Sequence, residues 1–189
     1  MKNPEKSSRV INGILFLLLL AITLLVYLPG IDQLGYYRDD WNNVFNAYTQ
    51  GPDMLIQHYA SDRPADGYLL SQAYAWFGPN PLPYLLINLS CRFLISYFFF
   101  LTLTRIWKHQ VLPAFVAAAL FLAFPGFLRQ VDGISYLPHQ IAMLCAMLSV
   151  FLSILSLEIK NMALRIVTIL LSVLLASAEM LLMEYYIGI

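Results

Sequence analysis

Charge is scarce in this chain: charged residues make up 12% of it, against 60% hydrophobic residues. Combined with a mean hydropathy of +0.68, this scarcity excludes an ordinary water-soluble domain, which carries roughly 25% charged residues. Eleven basic and eleven acidic residues cancel. The balance argues against both a basic footprint for nucleic acid and an acidic tail for a cationic partner. Only two cysteines occur, Cys91 and Cys145, both inside apolar runs. They read as small buried hydrophobes and not as a disulfide framework. HExxH, H-x-x-H and Cys–His groupings are all missing, which removes a dedicated zinc site. Repeats, low-complexity tracts and linker-like stretches are missing too, so residues 1–189 read as a single module.

Long apolar runs are what the chain does have. A helix needs roughly 20 mostly apolar residues to cross a hydrocarbon core of about 30 Å. Five stretches approach that: Ile11 to Leu28, Leu82 to Leu103, Val111 to Phe127, Ile141 to Leu157 and Ile166 to Ile187. The expected fold is all-α, a polytopic membrane helical bundle of about five transmembrane helices. No small-x-small cleavage pattern follows the first run, which therefore reads as a retained signal anchor. Basic residues near span ends stay cytoplasmic. Alternating crossings put Lys2, Lys6, Arg9, Arg105, Lys108, Lys160 and Arg165 on one side, and only Arg38, Arg63 and Arg129 on the other. The expected topology is N-in, in the cell membrane, with residues 30–80 outside.

That outer segment has helical texture. Trp41, Val44, Phe45 and Tyr48 recur at spacings of three and four, predicting one apolar helix face. A second short helix is expected from Asp53 to Tyr59 and a third from Asp66 to Phe77, with Leu69, Leu70, Ala73 and Phe77 in a stripe. GPNP at 78–81 turns the chain back toward the membrane. Such helices are expected to lie in the interface plane among membrane lipids.

The densest charge cluster, YYRDDWNNVF at 36–45, follows the first span directly. One of Asp39 and Asp40 suits capping of the helix that follows. Neighbouring helical residues project about 100° apart, so the other carboxylate points elsewhere, toward general-base work or a divalent cation such as Mg or Mn. Arg92 lies about 15 Å into its span, where an uncompensated arginine costs at least about 2.5 kcal/mol. Glu179, at a similar depth, is its expected ion-pair partner; the alternative has Arg92 holding a lipid phosphate. His58, Arg63 and Glu184 are further candidates for contact with substrate. Of Arg129, Asp132 and His139 in the 128–140 segment, at most one is expected to touch it. A sugar platform among Tyr36, Tyr37, Trp41 and Trp76 is an alternative to plain membrane anchoring.

YYRDDW, followed by DRPADGYLLSQAYAWFG and NPLPYLLINL, resembles the first extracytoplasmic loop of GT-C membrane glycosyltransferases, a class that includes protein mannosyltransferases and aminoarabinose transferases. The likeness covers most of residues 10–105. It departs from the mannosyltransferase pattern in having Asp-Asp for Asp-Glu and in lacking consecutive prolines after the loop helices. The resemblance implies an inverting transfer of a sugar from a polyprenyl-phosphate donor to a lipid, glycan or protein acceptor. An acidic loop residue activates the acceptor hydroxyl, and by position that maps onto Asp39 or Asp40, with Asp39 favoured. MEYYIG at 183–188 resembles a stretch with a glutamate near the end of a later helix in some relatives, which maps onto Glu184. The class generally carries more crossings, so the chain is expected to be the N-terminal part of a longer protein. The competing readings are a non-catalytic or truncated membrane scaffold and a small-molecule transporter.

Overall fold

The computed structural model describes residues 4–124 and 132–183, with side chains from residue 11 onward. Among them every regular element is helical. They are α1 (Pro4–Tyr27), a 3-10 turn (Ile31–Gln33), α2 (Asp39–Gln50), α3 (Asp53–Tyr59), α4 (Pro64–Phe77), α5 (Pro81–Ile106), α6 (Val111–Leu122), α7 (Leu137–Glu158) and α8 (Met162–Leu182). Four of these, α1, α5, α7 and α8, are long and apolar enough to cross a membrane. The protein is a multi-pass helical membrane bundle.

The fifth expected span is shorter than its apolar run. Helix α6 stops at Leu122, so its 12 residues cover about 18 Å, well short of a full crossing. Pro125 explains the stop: it disfavours helical backbone at Phe124 and has no N–H to continue the ladder. Residues 125–127 of the predicted run lie outside the described residues.

Helix α5 is the hub, packing against α1, α6 and α7, while α7 also carries α8. Phe16 of α1 meets the rings of Phe93 and Tyr97 edge-on, at 5.2 and 4.9 Å between centroids. Fully buried Ala114 and Ala118 let α6 approach α5 closely, and the Ser96 hydroxyl donates to the Ala118 carbonyl at 2.9 Å. Between α7 and α8 the Ser172 hydroxyl meets those of Ser149 and Ser153 at 3.1 and 2.8 Å. Arg105 and Glu158 form an ion pair between α5 and α7, beside the turns 107–110 and 159–161 that carry Lys108 and Lys160.

Helices α2, α3 and α4 cover the opposite end. Pro64 opens α4 where its missing N–H costs nothing. Gly67 allows α3 and α4 to touch, since a Cβ there would stand 2.9 Å from the Leu55 carbonyl oxygen and 3.0 Å from the Ile56 Cα. The predicted α4 stripe packs inward, with Leu70 and Ala73 buried and Leu69 and Phe77 against the same core. The predicted apolar face of α2 divides. Val44 is buried, but Trp41, Phe45 and Tyr48 are exposed, and the inward face is Asp40, Asn43, Val44 and Ala47. Polar contacts, described below, outweigh the aromatic stripe in orienting this helix.

The expected Arg92–Glu179 ion pair is absent. Arg92 lies over the Tyr27 ring of α1, 4.4 Å from its centroid. It borders a cavity of only about 10 Å³ with Asn88, Tyr136 and Gln140. Glu179 is buried on α8, with Oε1 unpartnered and no ion pair among the described residues. Helix α7 packs against both of the helices that carry the charges, α5 and α8.

Candidate functional site

Asp40 organises this end of the molecule. It is completely buried and caps nothing in its own helix. Its Oδ2 accepts the Gly133 N–H at 2.8 Å, while Oδ1 accepts those of Ile134 and Ser135 at 3.1 and 2.7 Å. These backbone groups precede α7, and three charge-assisted bonds balance the desolvation of the carboxylate. From the membrane side, the Asn88 amide of α5 donates to the Gly133 carbonyl at 2.8 Å. Gly133 is thus held from both sides, in a space where a Cβ would come within 3.3 Å of the Leu85 side chain.

Asp39 points elsewhere. Arg38, just before it, has the left-handed backbone angle φ 46°, unusual for a residue with a side chain. With α2 oriented by Asp40, the exposed Asp39 carboxylate opens onto a cavity of about 300 Å³. His58 of α3, Arg63 at the start of α4, and His139 of α7 line the same space. His139 is braced by stacking on Tyr136 at 4.9 Å between centroids.

One wall of the cavity is a hydrogen-bonded row. The Tyr59 hydroxyl donates to Asn43 Oδ1 at 3.2 Å, and Asn43 Nδ2 donates to the Ser135 hydroxyl oxygen at 3.0 Å. Burial pushes the Tyr59 phenol above its usual range; the Asp66 and Asp39 carboxylates add to that rise, and the Asn43 hydrogen bond and the Arg63 charge oppose it without cancelling it. The group therefore stays protonated at neutral pH. Asp66, buried in the first turn of α4, also borders the space, and Leu70, Pro138 and Met183 supply its apolar part.

The fold thus gathers Asp39, His58 and Arg63 from residues 30–80, with His139 joining them from the 128–140 segment. It separates Asp40, which is consumed in holding backbone, and Arg92, which borders the other cavity. Arg129 and Glu184 lie outside the described residues; Asp132 is buried and does not line the cavity. Tyr36, Tyr37, Trp41 and Trp76 do not line it either. Tyr36 packs on Trp41 at 5.1 Å between centroids, so no sugar platform forms in this space. Sequence reasoning missed Asn43, Tyr59, Asp66 and Ser135. The usable signal was Asn43, a polar residue three positions after Asp40 and so on the same helix face.

A divalent cation fits the expected pair poorly. Asp40 commits both oxygens to N–H donors, leaving Asp39 without its neighbour as co-ligand. Among the described residues no group of three or more His, Cys, Asp or Glu side chains converges.

A second, almost wholly apolar groove of about 480 Å³ runs along α4, lined by Leu69, Ala73, Trp76, Phe77, Ile87 and Ile141 among others. Leu69 and Leu70 are sequence neighbours, as are Leu137 and Pro138, yet the first of each pair faces this groove and the second the polar cavity. The two spaces therefore adjoin across α4 and α7. Comparison with protein-family models, with curated proteins and with solved structures returns no match for this chain.

Proposed function

We propose that this protein is a membrane glycosyltransferase, or the part of one that carries the acidic base, moving a sugar from a polyprenyl-phosphate donor to an acceptor at the extracytoplasmic face of the cell membrane. The observation that carries the reading is the convergence of Asp39 with Arg63, His58 and His139 around one cavity at the end of a membrane bundle. A carboxylate sharing a cavity with an arginine and two imidazoles suits displacement at carbon with a phosphate leaving group. Asp39 accepts the proton of the acceptor hydroxyl as that oxygen attacks the anomeric carbon. The carbon–oxygen bond to phosphate breaks, and its electron pair leaves with the phosphate. Arg63 offsets the charge on the departing oxygens, with the two imidazoles as further donors. Attack opposite the leaving group inverts the anomeric carbon.

The apolar groove next to this cavity suits the donor's isoprenoid chain, which would leave only the phosphate and sugar in the polar space. Lys108 and Lys160 at the opposite end, with Arg105 and Arg165 near them, support an N-terminus in the cytoplasm. A transporter reading gains little: Arg92 and Glu179 are apart, and the cavity at Arg92 is about 10 Å³. The test is Asp39→Asn in vesicles supplied with labelled polyprenyl-phosphate sugar, using the longest natural form of the protein. Loss of transfer by about 100-fold or more is expected for removal of a general base. Undiminished transfer ends the assignment.

A further inference from the structure

We propose that Ser135 and Tyr59, set by Asn43, form a hydroxyl pair, one donating and one accepting, that holds neighbouring hydroxyl groups of a sugar in the cavity. This rests on the glycosyltransferase reading and names how the site recognises the sugar.

A hydroxyl has one proton and two acceptor lone pairs, while a primary amide has a donor end and an acceptor end. Asn43 is 2% exposed and stands between the two hydroxyls. With Tyr59 donating to Asn43 Oδ1, its only proton is spent and its oxygen turns lone pairs to the cavity. Ser135, which accepts from Nδ2, keeps its own proton to give. Turning the Asn43 amide end for end exchanges the two roles and changes nothing else, because both partners are hydroxyls. In either arrangement the wall offers one donor and one acceptor, one at each end of the Asn43 amide.

That pattern selects ligand chemistry. Phosphate oxygens only accept, and would face a lone pair at one of the two positions. Ammonium groups only donate, and would face a proton at the other. Adjacent sugar hydroxyls both donate and accept, so they satisfy both positions at once. The pair is also positionally fixed. Ser135 is anchored through its backbone N–H to Asp40 at 2.7 Å, and the Tyr59 ring is held edge-on by His58 at 5.0 Å between centroids.

Ser135→Ala and Tyr59→Phe each delete one hydroxyl while keeping the Asp40 anchor and the ring contact. Asn43→Asp makes the central group acceptor-only, so both hydroxyls donate to it and the wall offers lone pairs alone. The measurement is binding of polyprenyl phosphate with and without an attached mannose or glucose, by native mass spectrometry in nanodiscs. Wild type is expected to prefer the sugar-bearing lipid. Each hydroxyl deletion is expected to reduce that preference about 2- to 10-fold, the worth of one neutral hydrogen bond, with bare-lipid binding unchanged. Asn43→Asp is expected to reduce it further. A preference that survives both deletions, or a fall in binding of both lipids alike, overturns the hydroxyl pair. Should transfer be lost in Asp39→Asn while that preference survives, only the pair is wrong. Failure of wild type to bind either lipid overturns the underlying reading as well.

Discussion

Two aspartates adjacent in sequence are expected to respond oppositely to the same substitution. Asp40 accepts three backbone N–H groups with no exposure to solvent. Asp40→Asn keeps one carbonyl oxygen, enough for Ile134 and Ser135, but turns an NH2 group toward the Gly133 N–H. One charge-assisted bond is lost, worth about 1.5–3 kcal/mol, and a buried donor is left unsatisfied at about 1–3 kcal/mol. The two surviving bonds also lose their charge. A destabilisation of about 3 kcal/mol is expected, equivalent to roughly 6–12 °C in Tm for a chain of 150–250 residues. Asp39 is exposed, and Asp39→Asn should stay within about 0.5 kcal/mol of wild type. Thermal unfolding in nanodiscs, paired with limited proteolysis across residues 132–136, reads both. Equal Tm values for the two variants would refute the division of labour.

Gly67→Ala drives a methyl into backbone on α3, 2.9 Å from the Leu55 carbonyl oxygen. A cost of about 1–3 kcal/mol and faster cleavage of the 51–63 segment by protease are expected, whereas Gly13→Ala, with open space around it, should be silent. Tyr59, raised above its usual value of about 10 mainly by burial, gives a pH dependence. The folded state retains the phenol proton where the unfolded state has released it, so this stabilisation is complete below pH about 10 and is lost as pH rises through the folded value. In Tyr59→Phe the alkaline arm of a stability–pH profile should flatten; an unchanged arm would remove Tyr59 from that role.

The membrane class, the spans at α1, α5, α7 and α8, and the helices α3 and α4 were legible from hydropathy, spacing and Pro/Gly punctuation. Helix α2 and its aromatic stripe were legible, but not what its other face binds. Trp41, Phe45 and Tyr48 stay exposed, as an interfacial stripe does, while the helix turns Asp40 and Asn43 inward. A buried carboxylate with three N–H partners gains more than an aromatic row that membrane or solvent can also accommodate. Those partners come from residues more than ninety positions away, where no local pattern announces them.

Hydropathy along the chain by itself determined that the protein is a helical membrane bundle and located four of its spans, because a crossing needs a long unbroken apolar run. It also limited the polar chemistry to the segments outside the spans. Only the tertiary structure decided the azimuth of each side chain and which helices pack together. That is why the Arg92–Glu179 pair is absent, why Asp40 binds backbone, and why Asp39 shares a cavity with His58, Arg63 and His139. Direction around a helix axis depends on the surfaces it meets, and those surfaces belong to distant parts of the chain.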